Sequence, residues 1–334
     1  MISLANVNYS LNFIAMRLIG ESLMFVGDEP SPLALPLATQ PDLQLRSTYL
    51  FGPTTIEYVE GRDYQVDYAQ GKLIALPGSR LPDFRSNVLY GHEDFDHGHF
   101  PGYGNIPFFA YADYTSDSVI TWPTPVVGDG GLANTRAKFA GGEALTIVAY
   151  GDSITWGGET STPDLVFWVR WTDDLREKYP TAKIAIHNGA TGGDTTTQGL
   201  ERLAEKALRH RPDLVLVGFG MNDHNRNCVA PEKFRTQLGF IVTQIREQTG
   251  AEIILYSTFP PNPKWCHGSH RMESYAQITG QVAAATGSAY VDVYCAWQKI
   301  AARKRPEDLL ANNINHPNDF GHWIYYQALA ALNL

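Results

Sequence analysis

Up to about Thr121 the chain alternates short apolar runs with turn residues, as in Tyr58-Val-Glu-Gly-Arg-Asp-Tyr-Gln-Val-Asp-Tyr68. A period of two predicts strands with one face inward. Gly61-Arg-Asp63 reads as a hairpin-like link inside that run, and Ala69-Gln-Gly-Lys72 as a second turn before Leu73–Leu76. The expected architecture is an antiparallel β-sandwich of jelly-roll kind. From Leu145 onward apolar runs alternate with helical patterns instead. Leu145–Tyr150, Ile184–His187, Leu214–Gly218, Ile253–Ser257 and Tyr290–Tyr294 predict five strands. Helices are predicted over Asp164–Tyr179, Thr195–His210, Pro231–Thr249, Met272–Thr286 and Phe320–Leu332. Strands separated by helices predict a doubly wound α/β domain with a parallel sheet and right-handed crossovers.

Pro and Gly concentrate between these two regimes, from Thr121-Trp-Pro-Thr-Pro125 to Gly141-Gly142. The expected division is therefore a β domain over 1–130, a linker over 131–143 and an α/β domain over 144–334. At 334 residues two domains are the prior expectation, and 44% hydrophobic residues give each enough apolar surface for a core. A net charge of −9 argues against a nucleic-acid partner, which needs a basic face. No stretch reads as a signal peptide or as a membrane span, which predicts a cytoplasmic protein without a membrane partner. Cys228, Cys266 and Cys295 are odd in number and far apart, as suits a reducing compartment.

Polar clusters recur where the predicted strands end. The first apolar run stops at Gly151-Asp152-Ser153, which places a hydroxyl where open α/β sheets bind ligands, although Asp and Ser there also serve as helix caps. Asn188-Gly-Ala-Thr-Gly-Gly-Asp-Thr195 follows the second run, and its Gly192 and Gly193 suit a tight turn with exposed N–H groups. That loop lacks the dinucleotide and P-loop fingerprints. Gly218-Phe-Gly-Met-Asn-Asp-His224 follows the third and offers the Asn222 amide as a donor. Near the C-terminus, Asn312-Asn-Ile-Asn-His-Pro-Asn318 presents His316 in a loop restrained by Pro317, the best general-base candidate among ten histidines. His322 reads as structural.

Two further segments carry candidate ligands. The loop Gly91–Gly104 holds His92, Glu93, Asp94, Asp96, His97 and His99, and Trp265-Cys-His-Gly-Ser-His270 adds thiol and imidazole. Neither has a structural-site ligand spacing, and polar loop composition accounts for both, so no metal is expected. The first loop is also a candidate wall over the neighbouring domain's site.

Taken together and in this order, the four strand-end clusters resemble the SGNH (GDSL-type) hydrolase superfamily of esterases and acylhydrolases. The resemblance covers about Thr146 to the C-terminus and implies a flavodoxin-like three-layer α/β/α domain with a five-stranded parallel sheet. It implies Ser153 as nucleophile, His316 as base, and an oxyanion hole formed by the N–H groups of Ser153 and Gly193 with the Asn222 side chain. No cofactor is implied. The family has Asp three residues before this His, where this chain has Asn313. Asn313 can orient His316 through its amide oxygen, Asp319 or a backbone carbonyl can replace it, or the protein is catalytically weak. In serine proteases the Asp to Asn change lowers kcat by about 10⁴.

A β-sandwich ahead of such a hydrolase is similar to some carbohydrate esterases that remove acetyl groups. The expected substrate is thus a small-molecule or oligosaccharide ester, with Trp156, Phe219, Trp265 and the Phe100–Tyr103 loop as candidate sugar-stacking surfaces. Rival expectations are a lipase or thioesterase for longer acyl chains, and a degenerate hydrolase that only binds carbohydrate. The sequence leaves the oligomeric state open, a homo-oligomer included.

Overall fold

The computed structural model describes residues 15–38, 42–128 and 130–334. Its N-terminal part holds two antiparallel sheets. Strands β1 (Met16–Met24), β7 (Phe109–Ser116), β3 (Gln44–Arg46) and β4 (Glu57–Tyr58) form one, and β2 (Ser31–Pro32), β6 (Lys72–Ala75) and β5 (Tyr64–Asp67) the other. The turn at 68–71 does join β5 to β6 as expected. The run Tyr58–Tyr68 is not a hairpin, because β4 and β5 belong to different sheets. Buried Asp63 accounts for the break. Its carboxylate accepts from the Val59 and Arg80 amides and the Arg80 guanidinium, which turns the chain between the two strands.

Residues 133–141 of the expected linker form helix α1 (Ala133–Gly141), closed by left-handed Gly142. Beyond it, β8 (Ala144–Gly151), β9 (Lys183–Asn188), β10 (Leu214–Gly218), β11 (Glu252–Tyr256) and β12 (Ala289–Val291) pair in the order β12-β11-β10-β8-β9, all parallel. Order reverses on either side of β8, so its C-terminal end opens into the crevice where such sheets bind ligands. The flavodoxin-like three-layer α/β/α domain is completed by α2 (Ser153–Trp156), α3 (Phe167–Lys178), α4 (Thr196–Lys206), α5 (Pro231–Thr249), α6 (Met272–Thr286), α7 (Val293–Ala301) and α8 (Asp319–Ala330). Helix α7 begins inside the expected strand Tyr290–Tyr294, where the Asp292 side chain caps the Cys295 amide. Among the described residues no helix is long and apolar enough to cross a membrane.

One apolar core runs through both parts. It joins Leu18, Leu23 and Phe109 to Ile147, Leu216, Leu255 and Phe320 without a break. Polar ties cross the same boundary: Ser22 Oγ donates to the Asp308 carbonyl and Met24 N to the Asp308 carboxylate. Lys304 and Glu21, both fully buried, form an ion pair at 2.7 Å.

Candidate active site

Strand β8 delivers Ser153 because Gly151 lets the backbone pass where no side chain fits. A Cβ there would lie 2.2 Å from the Gly218 carbonyl oxygen. Asp152 is the N-cap of α2, its carboxylate accepting from the Ile154 amide at 3.0 Å, so Ser153 is the first helical residue and its N–H has no intrahelical acceptor. Burial, seconded by nearby Asp223, pushes the Asp152 carboxyl up to about 7. Ser153 Oγ lies 2.8 Å from His316 Nε2. For Nε2 to accept the hydroxyl proton, the ring proton must sit on Nδ1.

His316 is held by a closed loop. Asn312 Oδ1 accepts from the amides of Ile314, Asn315 and His316, and the Ala311 amide donates to the His316 carbonyl at 2.9 Å. The N-terminal part reinforces this loop: Asn105 donates from its amide to Ala311 and from Nδ2 to Leu310, both to carbonyls. The loop's geometry decides the fate of Asn313. Its φ is +59°, a left-handed conformation that Asn tolerates better than most residues, and its amide oxygen accepts from Asn262 Nδ2 at 3.1 Å. Asn313 faces a separate cavity of about 420 Å³, lined also by Phe84, Tyr90, Lys264 and Arg305. The expectation that Asn313 orients His316 is therefore corrected, because the left-handed backbone turns its side chain to Asn262. Asp319 is engaged as well, accepting from the Ser161 amide at 2.9 Å.

His316 Nδ1 is buried and has no hydrogen-bond partner among the described residues. Facing it at 3.8 Å is an oxygen of Glu159, a residue the sequence pattern did not single out. Glu159 has φ +69°, which for a non-glycine side chain costs about 1–3 kcal/mol. Polar interaction with His316 holds its carboxyl below the ordinary value, against the opposing effect of burial. The adjacent Gly158 gives the imidazole room, since a Cβ there would stand 3.1 Å from the Ser153 carbonyl oxygen and 3.4 Å from His316 Nδ1.

The glycine loop after β9 lies beside Ser153: an added Cβ on Gly192 would be 3.9 Å from Ser153 Cβ. Gly193 is left-handed, at φ +78°. Asn222 Nδ2 donates to the Asp194 carbonyl at 3.0 Å, which ties the third strand-end cluster to this loop. Behind it, Thr196 donates from its amide and hydroxyl to buried Asp223. Ser153, Gly193, Asn222 and His316 thus come from four loops joined at one end of the sheet.

The candidate stacking residues divide. Trp156 follows Ser153 by three positions and is 59% exposed. Phe219 is 3% exposed, its ring against Tyr150 and beside Gly199, and Trp265 is 5% exposed, within a small apolar cluster with Leu89, Phe95 and Ile314. Both are corrected to packing residues, because neither has a free face to offer a sugar. The loop 91–104 is joined to the segment carrying Trp265: the Phe95 amide donates to the Lys264 carbonyl and the Cys266 amide to that of Phe95. Its Tyr103 hydroxyl is pushed up by burial and by Glu159, which places this loop alongside the site. Ligand atoms of Asp96, His97 and His267 lie within 4.8 Å of one another. The Trp265 indole donates to His97 Nδ1 at 3.1 Å and His267 Nε2 lies 3.4 Å from Asp96. His322 is fully buried beside Phe167, and burial pushes it down to about 3, which keeps it neutral.

Residues 149–324, more than half of the chain, match the GDSL-like lipase/acylhydrolase family. The chain belongs to this family. Among its relatives, an arylesterase of Vibrio mimicus is 33% identical over 79 residues, which cover 24% of this chain and 39% of that protein. Esterase TesA of Pseudomonas aeruginosa is 28% identical over 153 residues, 45% of this chain and 71% of its own. An acetylxylan esterase of Geobacillus stearothermophilus is 23% identical over 163 residues, 46% of this chain and 74% of its own. Among solved structures, a two-domain esterase active on acetylated mannans superposes with a TM-score of 0.51 at 23% identity, covering 61% of this chain and 53% of that one. The match thus spans only about two fifths of the arylesterase and half of the mannan esterase. At such identity the structural likeness shows the fold alone.

Proposed function

We propose that the protein is a serine carboxylic ester hydrolase acting on short acyl esters, in particular acetyl groups carried by a carbohydrate. The observation that carries this reading is the 2.8 Å approach of His316 Nε2 to Ser153 Oγ at the switch point of the sheet. In the proposed cycle His316 Nε2 takes the Ser153 proton as Oγ attacks the ester carbonyl carbon. The negative oxygen is held by the N–H groups of Ser153 and Gly193 and by Asn222 Nδ2, which leaves the Asp194 carbonyl to do so. His316 then returns the proton to the departing alcohol, leaving an acyl-serine. Water gives a proton to the same nitrogen and attacks the acyl carbon; the acyl–Oγ bond then breaks as His316 returns that proton to Ser153 Oγ, releasing the acid.

An acetyl group on a sugar fits the exposed indole of Trp156 beside the nucleophile, since a sugar ring presents C–H faces that pack on aromatic surfaces. The acetylated-polysaccharide esterases among the relatives and structural neighbours point the same way. The deciding experiment compares hydrolysis of an aryl acetate with that of an aryl ester of a long fatty acid. The expected result is a preference for acetate. Preference for the long chain would move the reading to a lipase or thioesterase, and inertness toward both would leave a degenerate carbohydrate-binding hydrolase. Trp156→Ala should raise KM for an acetylated oligosaccharide about 5- to 30-fold, from loss of a contact of about 1–2 kcal/mol, and leave kcat on the aryl acetate nearly unchanged. Equal effects on both substrates would remove Trp156 from sugar binding.

A further inference from the structure

An imidazole that takes a proton from serine needs its other nitrogen oriented and its new charge compensated. The His-bearing loop supplies neither. Asn313 is bound to Asn262 and Asp319 to the Ser161 amide, while Nδ1 of His316 is buried without a hydrogen-bond partner among the described residues. Across from that nitrogen, at 3.8 Å, stands Glu159. It sits in the turn that leaves helix α2, where the Gly158 amide donates to the Ser153 carbonyl and the Thr160 hydroxyl to that of Gly157. This turn holds Glu159 left-handed, a conformation that a non-glycine residue keeps only where its surroundings impose it.

We propose that Glu159 is the positioning residue of His316, so that the carboxylate behind the base is supplied by the nucleophile's own loop rather than by the loop that carries the histidine. The proposal rests on the esterase reading above. The proton ledger is simple. Nδ1–H stays on the ring and points at Glu159, which remains ionised. The proton from Ser153 arrives at Nε2, and the resulting imidazolium faces the Glu159 carboxylate. Catalytic hydrogen bonds are often long before substrate binds, and 3.8 Å is the separation of the pair without one. The other ionisable groups around the pair do not compete for Nδ1. His322 on α8 is held neutral by burial. Tyr103, from the 91–104 loop, has its hydroxyl pushed up and stays uncharged. Asp319 is pushed up by burial and faces Arg170 as well as Ser161.

The test uses the full chain with an aryl acetate, in the wild type, Glu159→Gln, Glu159→Asp and Ser153→Ala. Glu159→Gln should lower kcat about a hundredfold with KM nearly constant, because the lost group acts on the base and not on substrate binding. A carboxylate 3.8 Å from the ring nitrogen stabilises an imidazolium over a neutral imidazole by direct charge attraction. Its removal should move the acid limb of the kcat/KM profile to lower pH, and Glu159→Asp should recover part of both effects. A low-field Nδ1–H resonance of His316 in the proton NMR spectrum should be present in the wild type and lost or moved upfield in Glu159→Gln. Unchanged kcat, or a fall in kcat with the acid limb and the resonance unmoved, overturns the proposal. An inert wild type, or turnover surviving in Ser153→Ala, overturns the esterase reading instead, and the resonance still decides whether Glu159 holds His316.

Discussion

Ser153→Ala is expected to lose turnover of an aryl acetate by at least about 10⁴-fold while its unfolding midpoint stays at that of the wild type. The chemical loss is large because no acyl-enzyme can form without the hydroxyl, and only oxyanion donors and binding remain to assist direct attack by water. The structural loss is small. The hydroxyl's partner is His316 Nε2 at 2.8 Å, and alanine is at least as good a helix residue at the start of α2. Stopped-flow hydrolysis and thermal unfolding check the two halves, and mass spectrometry after treatment with a fluorophosphonate checks the nucleophile: the wild type should gain one adduct on the Ser153 peptide and the variant none. An adduct on another residue, or turnover that survives the substitution, would remove Ser153 as nucleophile.

The location of the candidate site was legible in the sequence wherever its residues stand at a strand end. The apolar run into Gly151 and the clusters after β9 and β10 needed no structure to be placed at one edge of a sheet, and α5 and α6 fall on the expected bounds Pro231–Thr249 and Met272–Thr286. Features set by distant packing were not legible. Phe219 and Trp265 look like surface aromatics in a polar loop, yet Phe219 lies against Tyr150 and beside Gly199, and Trp265 against Phe95, which lies 170 positions earlier. Asn313 stands where an orienting acid is expected, but a side chain's direction follows its φ, and no pattern announces that this residue is left-handed. The same limit hid Glu159. Its carboxylate lies six residues after Ser153 in sequence and opposite His316 only in space. Helices α1 and α7 were hidden by shortness, nine residues each, one in a Gly-rich stretch and the other directly after a strand.

The second large effect is expected in stability, at the boundary between the β-rich part and the hydrolase part. Lys304→Met should destabilise the protein by about 3–5 kcal/mol, because it leaves the Glu21 carboxylate buried without its cation. The ammonium also donates to the Ser22 carbonyl at 2.8 Å, and Glu21 accepts from the Ala34 amide and the Tyr114 hydroxyl. These groups hold β1 against the 304–308 segment, a few residues before the loop that carries His316. We therefore propose that the two parts unfold as one unit. Urea unfolding followed by tryptophan fluorescence and by aryl acetate hydrolysis should show coincident transitions, both moved to lower urea in Lys304→Met. Glu21→Gln combined with Lys304→Met should recover part of the loss, since a neutral amide is cheaper to bury than an unpaired carboxylate. A loss below about 1 kcal/mol would place Lys304 among exposed ion pairs in energy. Separated transitions would show that the β-rich part is an independent domain whose contacts with the His316 loop are not required for its folding.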